Sequence, residues 1–175
     1  MQLLMNLRRK AHFYFLRKEL KFHEVPRKVV NLSHAREIGI LFDASDTDRT
    51  AIVNSFADAL RKERKKVVLL GFYDFPKPAL NVNFPSFNRK SVNWHFEPNG
   101  ALVEEFIARK FDILINAYID ESLPLEYVSA FSQASFRVGH YDKQKTYAYD
   151  FMIDMKGDRD LRKLTEQVRY YIEMV

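Results

Sequence analysis

Apolar and polar positions alternate in a regular way along the chain from residue 35 onward. Runs such as 37–42 and 113–119 are almost continuously apolar, which is typical of strands that are covered on both faces. Between these runs, apolar residues such as Ile52 and Phe56 recur at helical spacing, with charged residues on the opposite side. This pattern predicts repeated strand-helix units and therefore a mostly parallel sheet.

Strands are predicted at 37–42, 67–73, 91–96, 113–119, 136–141 and 150–155. Helices are predicted at 3–24, 48–63 and 101–110, from Pro124 onward, and from Leu161 to Val175. Residues 74–87 contain Pro76, Pro78 and Pro85, which predict an extended loop. With right-handed crossovers, these units give a three-layer, Rossmann-like α/β fold with a sheet of five to six strands in the order 3-2-1-4-5-6.

The N-terminal segment has a different character from the rest of the chain. We expect residues 1–34 to form a basic amphipathic helix and a linker, and residues 35–175 to form a single α/β domain. Phe13, Leu16 and Leu20 fall on one face of the helix, and Pro26 ends it. With 175 residues, of which 47% are hydrophobic, the chain has the length and composition of one compact domain.

All of the excess positive charge lies in this helix and linker. Residues 1–30 carry eight Lys or Arg and two acids, whereas the remainder carries twenty basic and twenty-one acidic residues. Such a helix can bind nucleic acid, lie on an anionic membrane, or pack on the body or on a second copy in a homodimer. We expect a non-enzymatic interaction module that contacts a protein or an anionic partner, such as RNA or an acidic surface, through Arg8, Arg9, Lys10, Arg17, Lys18 and Lys21.

Several classes of protein are excluded by what the sequence lacks. Without cysteine there are no disulfides, thiolate nucleophiles or cysteine metal sites. No apolar run reaches the ~18 residues of a membrane span, and the order of charged and apolar residues at the N-terminus does not match a secretory signal. We therefore expect a cytoplasmic protein that is not an integral membrane protein. The five glycines are scattered and form no phosphate-binding loop, so we assign no cofactor and no metal site.

Acidic and hydroxyl residues follow the first and fourth strands, whose loops flank the point where the strand order reverses. Ligands of open α/β sheets bind at this point. The alternative function is therefore a small-ligand domain, or a cation-dependent nucleotide-binding or sugar-binding domain, in which Asp43, Asp46 and Asp120 hold a cation. The same residue types also cap helices, so both interpretations stay open. The candidate ligand-binding residues are Asp43, Ser45, Asp46, Thr47, Asn116, Asp120, Ser122 and His140.

Two resemblances extend this picture. The stretches 111–118, 124–134, 136–140 and 149–154 resemble a family of small bacterial α/β proteins, a domain of unknown function, which carries no activity over to this chain. More faintly, the same stretches and the loop at Ser45 and Asp46 resemble the acceptor-binding half of heptosyltransferase-type glycosyltransferases. That resemblance implies a sugar-binding site in which Asp46 acts as the general base.

Overall fold

The computed structural model describes residues 1–77 and 82–175. Its helices are α1 (Gln2–Leu20), α2 (Thr47–Lys62), α3 (Ala101–Ala108), α4 (Leu123–Phe131) and α5 (Leu161–Met174). The strands are β1 (Glu37–Asp43), β2 (Lys66–Tyr73), β3 (Ser86–Asn88), β4 (Ile113–Ala117), β5 (Phe136–His140) and β6 (Phe151–Ile153). Within the described residues, none of these helices is both long enough and apolar enough to cross a membrane.

The six strands form one parallel sheet in the order β3-β2-β1-β4-β5-β6, so the predicted α/β fold and strand order are confirmed. Ile38 of β1 lies between Val67 of β2 and Ile113 of β4. The central strands are buried on both faces, which explains their continuously apolar sequences.

Helices cover the sheet on both sides. Alternate residues of β1 point to opposite faces, so Ile40 packs in the layer of α2 and α5, and Leu41 packs in the layer of α3 and α4. The first layer includes Leu60 and Leu164, and the second includes Leu125. The carboxyl ends of all six strands therefore meet at one edge of a three-layer core.

The predicted third strand at 91–96 is wrong, because the strand lies at Ser86–Asn88 and is followed by a short 3-10 helix, Arg89–Ser91. The alternating apolar and polar residues that predicted a strand lie in a turn, in which Phe96 has a φ of 66°. The Asn93 side chain stabilises this turn by accepting hydrogen bonds from the backbone N–H groups of residues 95 and 97. Pro78, in the middle of the predicted 74–87 loop, lies outside the described residues.

α1 ends at Leu20, four residues before the predicted boundary, and packs on the body. Leu16 is buried against Ala130 and Phe131 of α4, with Phe13 beside it. The linker also packs on the body, since Leu32 is buried and its N–H donates a 2.7 Å hydrogen bond to the carbonyl of Ile172. α1 therefore forms an additional layer over α4, and the end of the linker packs beside α5.

Candidate functional site

The carboxyl ends of β1 and β4 lie side by side, so the loops that follow them share one edge of the sheet. β1 continues towards α2 on one face, and β4 continues towards α4 on the other. The sheet order reverses between these two strands. This geometry creates the crevice at which open α/β sheets bind ligands.

The loop after β1 is held largely by its own side chains. Asp46 is the N-cap of α2 and accepts hydrogen bonds from the N–H groups of Asp48 and Arg49 at 2.8 and 3.0 Å. The Ser45 hydroxyl accepts a hydrogen bond from the N–H of Asp74 at 3.0 Å. Thr47 is the first residue of α2 and is exposed. Asp46 Oδ1 therefore caps α2, and the Ser45 hydroxyl joins this loop to the residue that follows β2.

Asp120 is neutralised by two arginines. Arg49 Nη1 lies 2.6 Å from Asp120 Oδ2, and Arg159 pairs with the other carboxylate oxygen. Across the part of the chain that the structure describes, no group of three or more His, Asp or Glu could hold a metal ion. The structure thus does not assemble Asp43, Asp46 and Asp120 into a cation site. Asp46 caps α2, Asp120 pairs with two guanidinium groups, and Asp43 accepts a hydrogen bond from the N–H of Ser45.

Two further candidates lie in strands and not in these two loops. Asn116 is fully buried in β4, where its amide donates to the carbonyl of Val138 at 3.1 Å and accepts from the Tyr118 hydroxyl at 3.3 Å. His140 is the last residue of β5 and is half-buried. Burial, with the nearby charge of Lys145, lowers the pKa of His140, so this side chain is neutral at pH 7.

Asp43 and Ser122 line a pocket of about 400 Å³ at this edge. α1 supplies one wall through Met5, Arg8 and Arg9, and other walls include Phe72, Phe96 and Leu123. The Ser122 hydroxyl is buried and has no hydrogen-bond partner within the described residues. The volume falls in the range of roughly 300–1,000 Å³ that is usual for small-molecule sites. α1 therefore covers part of the crevice predicted between the loops that follow β1 and β4.

Two of the six basic residues assigned to partner binding take part in docking α1 on the body. The Arg8 guanidinium lies 4.2 Å from the centre of the Phe96 ring, and its Nε donates to the carbonyl of Trp94. Arg9 forms a bidentate ion pair with Glu121, which lowers the pKa of that carboxyl. The remaining four are exposed and have no ion-pair partner among the described residues: Lys10, Arg17, Lys18 and Lys21.

His12 lies at the centre of the docked face of α1. Its Nδ1 is 2.9 Å from the carbonyl of His95, which requires a proton on Nδ1, and its buried Nε2 has no partner within the described residues. Burial has the largest effect and lowers the pKa of His12. The hydrogen bond to the His95 carbonyl and the charge of Glu126 oppose this, and the charges of His95 and Arg9 lower the pKa further by smaller amounts. A second proton would place an unsatisfied donor and a charge in the interface.

We expect acidification to weaken the docking of α1. A histidine whose pKa is lowered in the docked state binds a proton more readily when α1 is undocked, so stability is lost as pH falls below the unperturbed value of about 6.5. Opening of α1, measured by amide hydrogen exchange, should increase by at most about tenfold per histidine between about pH 7.5 and 5.5.

The variant His12→Leu should remove most of this pH dependence, whereas His34→Gln, at an exposed position, should leave it unchanged. His23, whose pKa is also lowered by burial beside Phe131, accounts for any remainder. The Glu121 carboxyl, with its lowered pKa, stays ionised over this range. Equal pH dependence in the His12 variant and the wild type would contradict the interpretation.

A buried ion pair behind the pocket was not found in the sequence. Glu126 of α4 is fully buried, 2.8 Å from Lys145 Nζ, and accepts a 2.7 Å hydrogen bond from the Tyr147 hydroxyl. Its other oxygen also accepts from the N–H of Ser122 at 3.2 Å. The signal in the sequence was an acidic residue inside the otherwise apolar stretch of α4. This pair fixes the start of α4, which forms one wall of the pocket.

Comparison with known proteins gives one match. The model of a family described as "Family of unknown function (DUF6913)" matches residues 8–175. No curated protein and no solved structure matches the chain. The resemblance to heptosyltransferase-type glycosyltransferases is therefore without support.

Proposed function

The chain belongs to DUF6913, a family of unknown function as the resemblance implied, and we propose that it is a binding module that docks on an anionic lipid surface through the outer face of α1. We define this outer face by Leu3, Leu7, Lys10, Tyr14, Arg17, Lys18 and Lys21. The observation that carries the proposal is that exposed cations and exposed apolar side chains share this one face while the opposite face is docked.

The geometry of α1 sorts its side chains into two faces. Residues 3, 7, 10, 14, 17 and 21 recur at helical spacing and point away from the buried His12 and Leu16. On the outer face, Leu3 is 83% exposed, Leu7 is 56% exposed and Tyr14 is 64% exposed. Large exposed apolar side chains beside cations are typical of helices that lie in a lipid interface.

The charges favour an anionic surface of this kind. Each Lys or Arg near an anionic membrane contributes about 1 kcal/mol, so the four cations of the outer face contribute about 4 kcal/mol, or roughly a thousandfold in affinity. Leucines gain nothing from phosphate contacts, and this argues for a lipid surface over a nucleic acid. The remainder of the chain is close to neutral and adds no comparable attraction.

Cosedimentation with vesicles tests the proposal. The protein should bind vesicles of phosphatidylcholine with phosphatidylserine, fail to bind pure phosphatidylcholine, and lose binding at high salt. The quadruple variant with Lys10, Arg17, Lys18 and Lys21 replaced by Gln should bind at least about a hundredfold more weakly. The matched control replaces four exposed lysines elsewhere, at Lys62, Lys110, Lys143 and Lys156, and should bind as the wild type does.

Two results would overturn the proposal. One is equal loss of vesicle binding in the two quadruple variants, which would show that only net charge matters. The other is tighter binding to single-stranded RNA than to the vesicles, with the same dependence on the four outer-face cations. The double variant Leu3→Ser and Leu7→Ser distinguishes lipid binding from RNA binding. It should weaken binding to the vesicles and leave binding to RNA unchanged.

A further inference from the structure

The pocket beneath α1 has an unusual balance of charge. Arg9 pairs with Glu121, and Arg89 Nε lies 2.9 Å from Asp74 Oδ1. Among the residues that the structure describes, Arg8 has no acidic partner within ion-pair distance and Asp43 has no basic one. Three arginines and three acids line the pocket, namely Arg8, Arg9, Arg89, Asp43, Asp74 and Glu121. One positive and one negative group are thus left to face the same space.

Both of these groups are held in place and keep an unused atom. Asp43 Oδ1 accepts a 2.9 Å hydrogen bond from the N–H of Ser45, while Oδ2 has no partner in the described part of the chain. Arg8 is fixed by the carbonyl of Trp94 and by the ring of Phe96, while its Nη2 has no acceptor there. The orphaned hydroxyl of Ser122 adds a third polar group.

We propose that this pocket binds a free α-amino acid with an apolar side chain. The ammonium group donates to Asp43, and the carboxylate accepts from Arg8 and the Ser122 hydroxyl, near the positive end of α4. Phe72, Val92 and other apolar lining atoms surround the side chain. The inference concerns a different face of α1 and goes beyond the proposed docking on lipid.

Other classes of ligand fit the charges less well. An inorganic anion meets the carboxylates of Asp43, Asp74 and Glu121, and a simple cation meets three guanidinium groups. A neutral apolar molecule would bury Asp43 and Arg8 without a counterion, which is costly. A zwitterion supplies both missing partners at once, and complementary charges of this kind determine specificity.

Calorimetric titration with L-leucine and two blocked analogues tests this assignment on the wild-type protein. L-leucine should bind one molecule per chain. N-acetyl-L-leucine lacks the ammonium group and L-leucinamide lacks the carboxylate, so each should bind at least about tenfold more weakly. No binding of L-leucine or L-phenylalanine at millimolar concentration would overturn the proposal, as would equal affinity for L-leucine and either analogue.

Variants identify the groups that bind each end of the ligand. Asp43→Asn should weaken binding of L-leucine at least about tenfold and leave the already weak binding of N-acetyl-L-leucine unchanged. Arg8→Gln should likewise weaken binding of L-leucine at least about tenfold and leave the already weak binding of L-leucinamide unchanged. Arg162→Gln, at an exposed position of α5 outside the pocket lining, is the matched control and should bind L-leucine as the wild type does. Unchanged affinity for L-leucine in both pocket variants, with their folding verified by circular dichroism, would also overturn the assignment.

Discussion

Replacing Glu126 with alanine should lower the free energy of unfolding by about 3–5 kcal/mol. The Glu126 side chain is 1% exposed, and that of its partner Lys145 is 10% exposed. Removal of the carboxylate leaves the Lys145 ammonium buried, with Asp142, 3.9 Å away, as its one remaining counterion among the described residues. The Tyr147 hydroxyl also loses its acceptor. Equilibrium unfolding in urea measures the change.

This loss of stability arises because one buried charge is left without its partner. The intact ion pair itself contributes much less than 3–5 kcal/mol. The double variant Glu126→Leu and Lys145→Met removes both charges and should therefore recover most of the stability. As a control, Asp58→Ala removes an exposed ion pair with Arg61 and should change stability by less than about 1 kcal/mol. If the double variant were less stable than Glu126→Ala, uncompensated charge would not be the cause.

Much of the fold could be predicted because a covered parallel sheet requires a regular pattern of apolar residues along the sequence. β1 and β4 are buried on both faces, so their sequences are apolar throughout, and helices with one apolar stripe lie between the strands. The strand order then followed from the handedness of the crossovers. β3 could not be predicted in the same way, because its three residues follow Pro85 directly, at the end of the stretch whose prolines predicted an extended loop.

The candidate site could be predicted only in part. Asp43 and Ser122 lie at one edge because Asp43 ends β1 and Ser122 lies in the loop after the neighbouring strand β4, which the topology required. Their surroundings depend on contacts between residues far apart in the sequence, such as Arg49 with Asp120 and Arg9 with Glu121. A single sequence gives no signal for such pairs. It therefore could not show that α1 covers the crevice and that Arg8 and Arg9 line the pocket.

Replacing Arg137 with methionine should lower the free energy of unfolding by about 3–5 kcal/mol. The guanidinium is buried and connects α4 to residues 147–150 by hydrogen bonds. It forms a bidentate pair with Asp150, with bonds of 2.8 and 3.0 Å. Its Nη1 also donates to the carbonyls of Tyr147 and Ser129, at 2.9 and 3.3 Å. These carbonyls would lose the guanidinium donor, and the Asp150 carboxylate would lose its bidentate partner and keep only the backbone N–H of residue 137 among these donors. Urea unfolding again measures the loss.

The conservative variant Arg137→Lys should recover less than half of this loss, because one ammonium cannot reach the acceptors that the planar guanidinium spans. Arg61→Met, at an exposed position, should change stability by less than about 1 kcal/mol. Arg137 also donates to α4 close to Ala130 and Phe131, on which Leu16 of α1 packs. Hydrogen exchange in α1 should therefore accelerate in Arg137→Met although Arg137 makes no hydrogen bond to α1. Unchanged exchange there would show that the docking of α1 is independent of this end of α4.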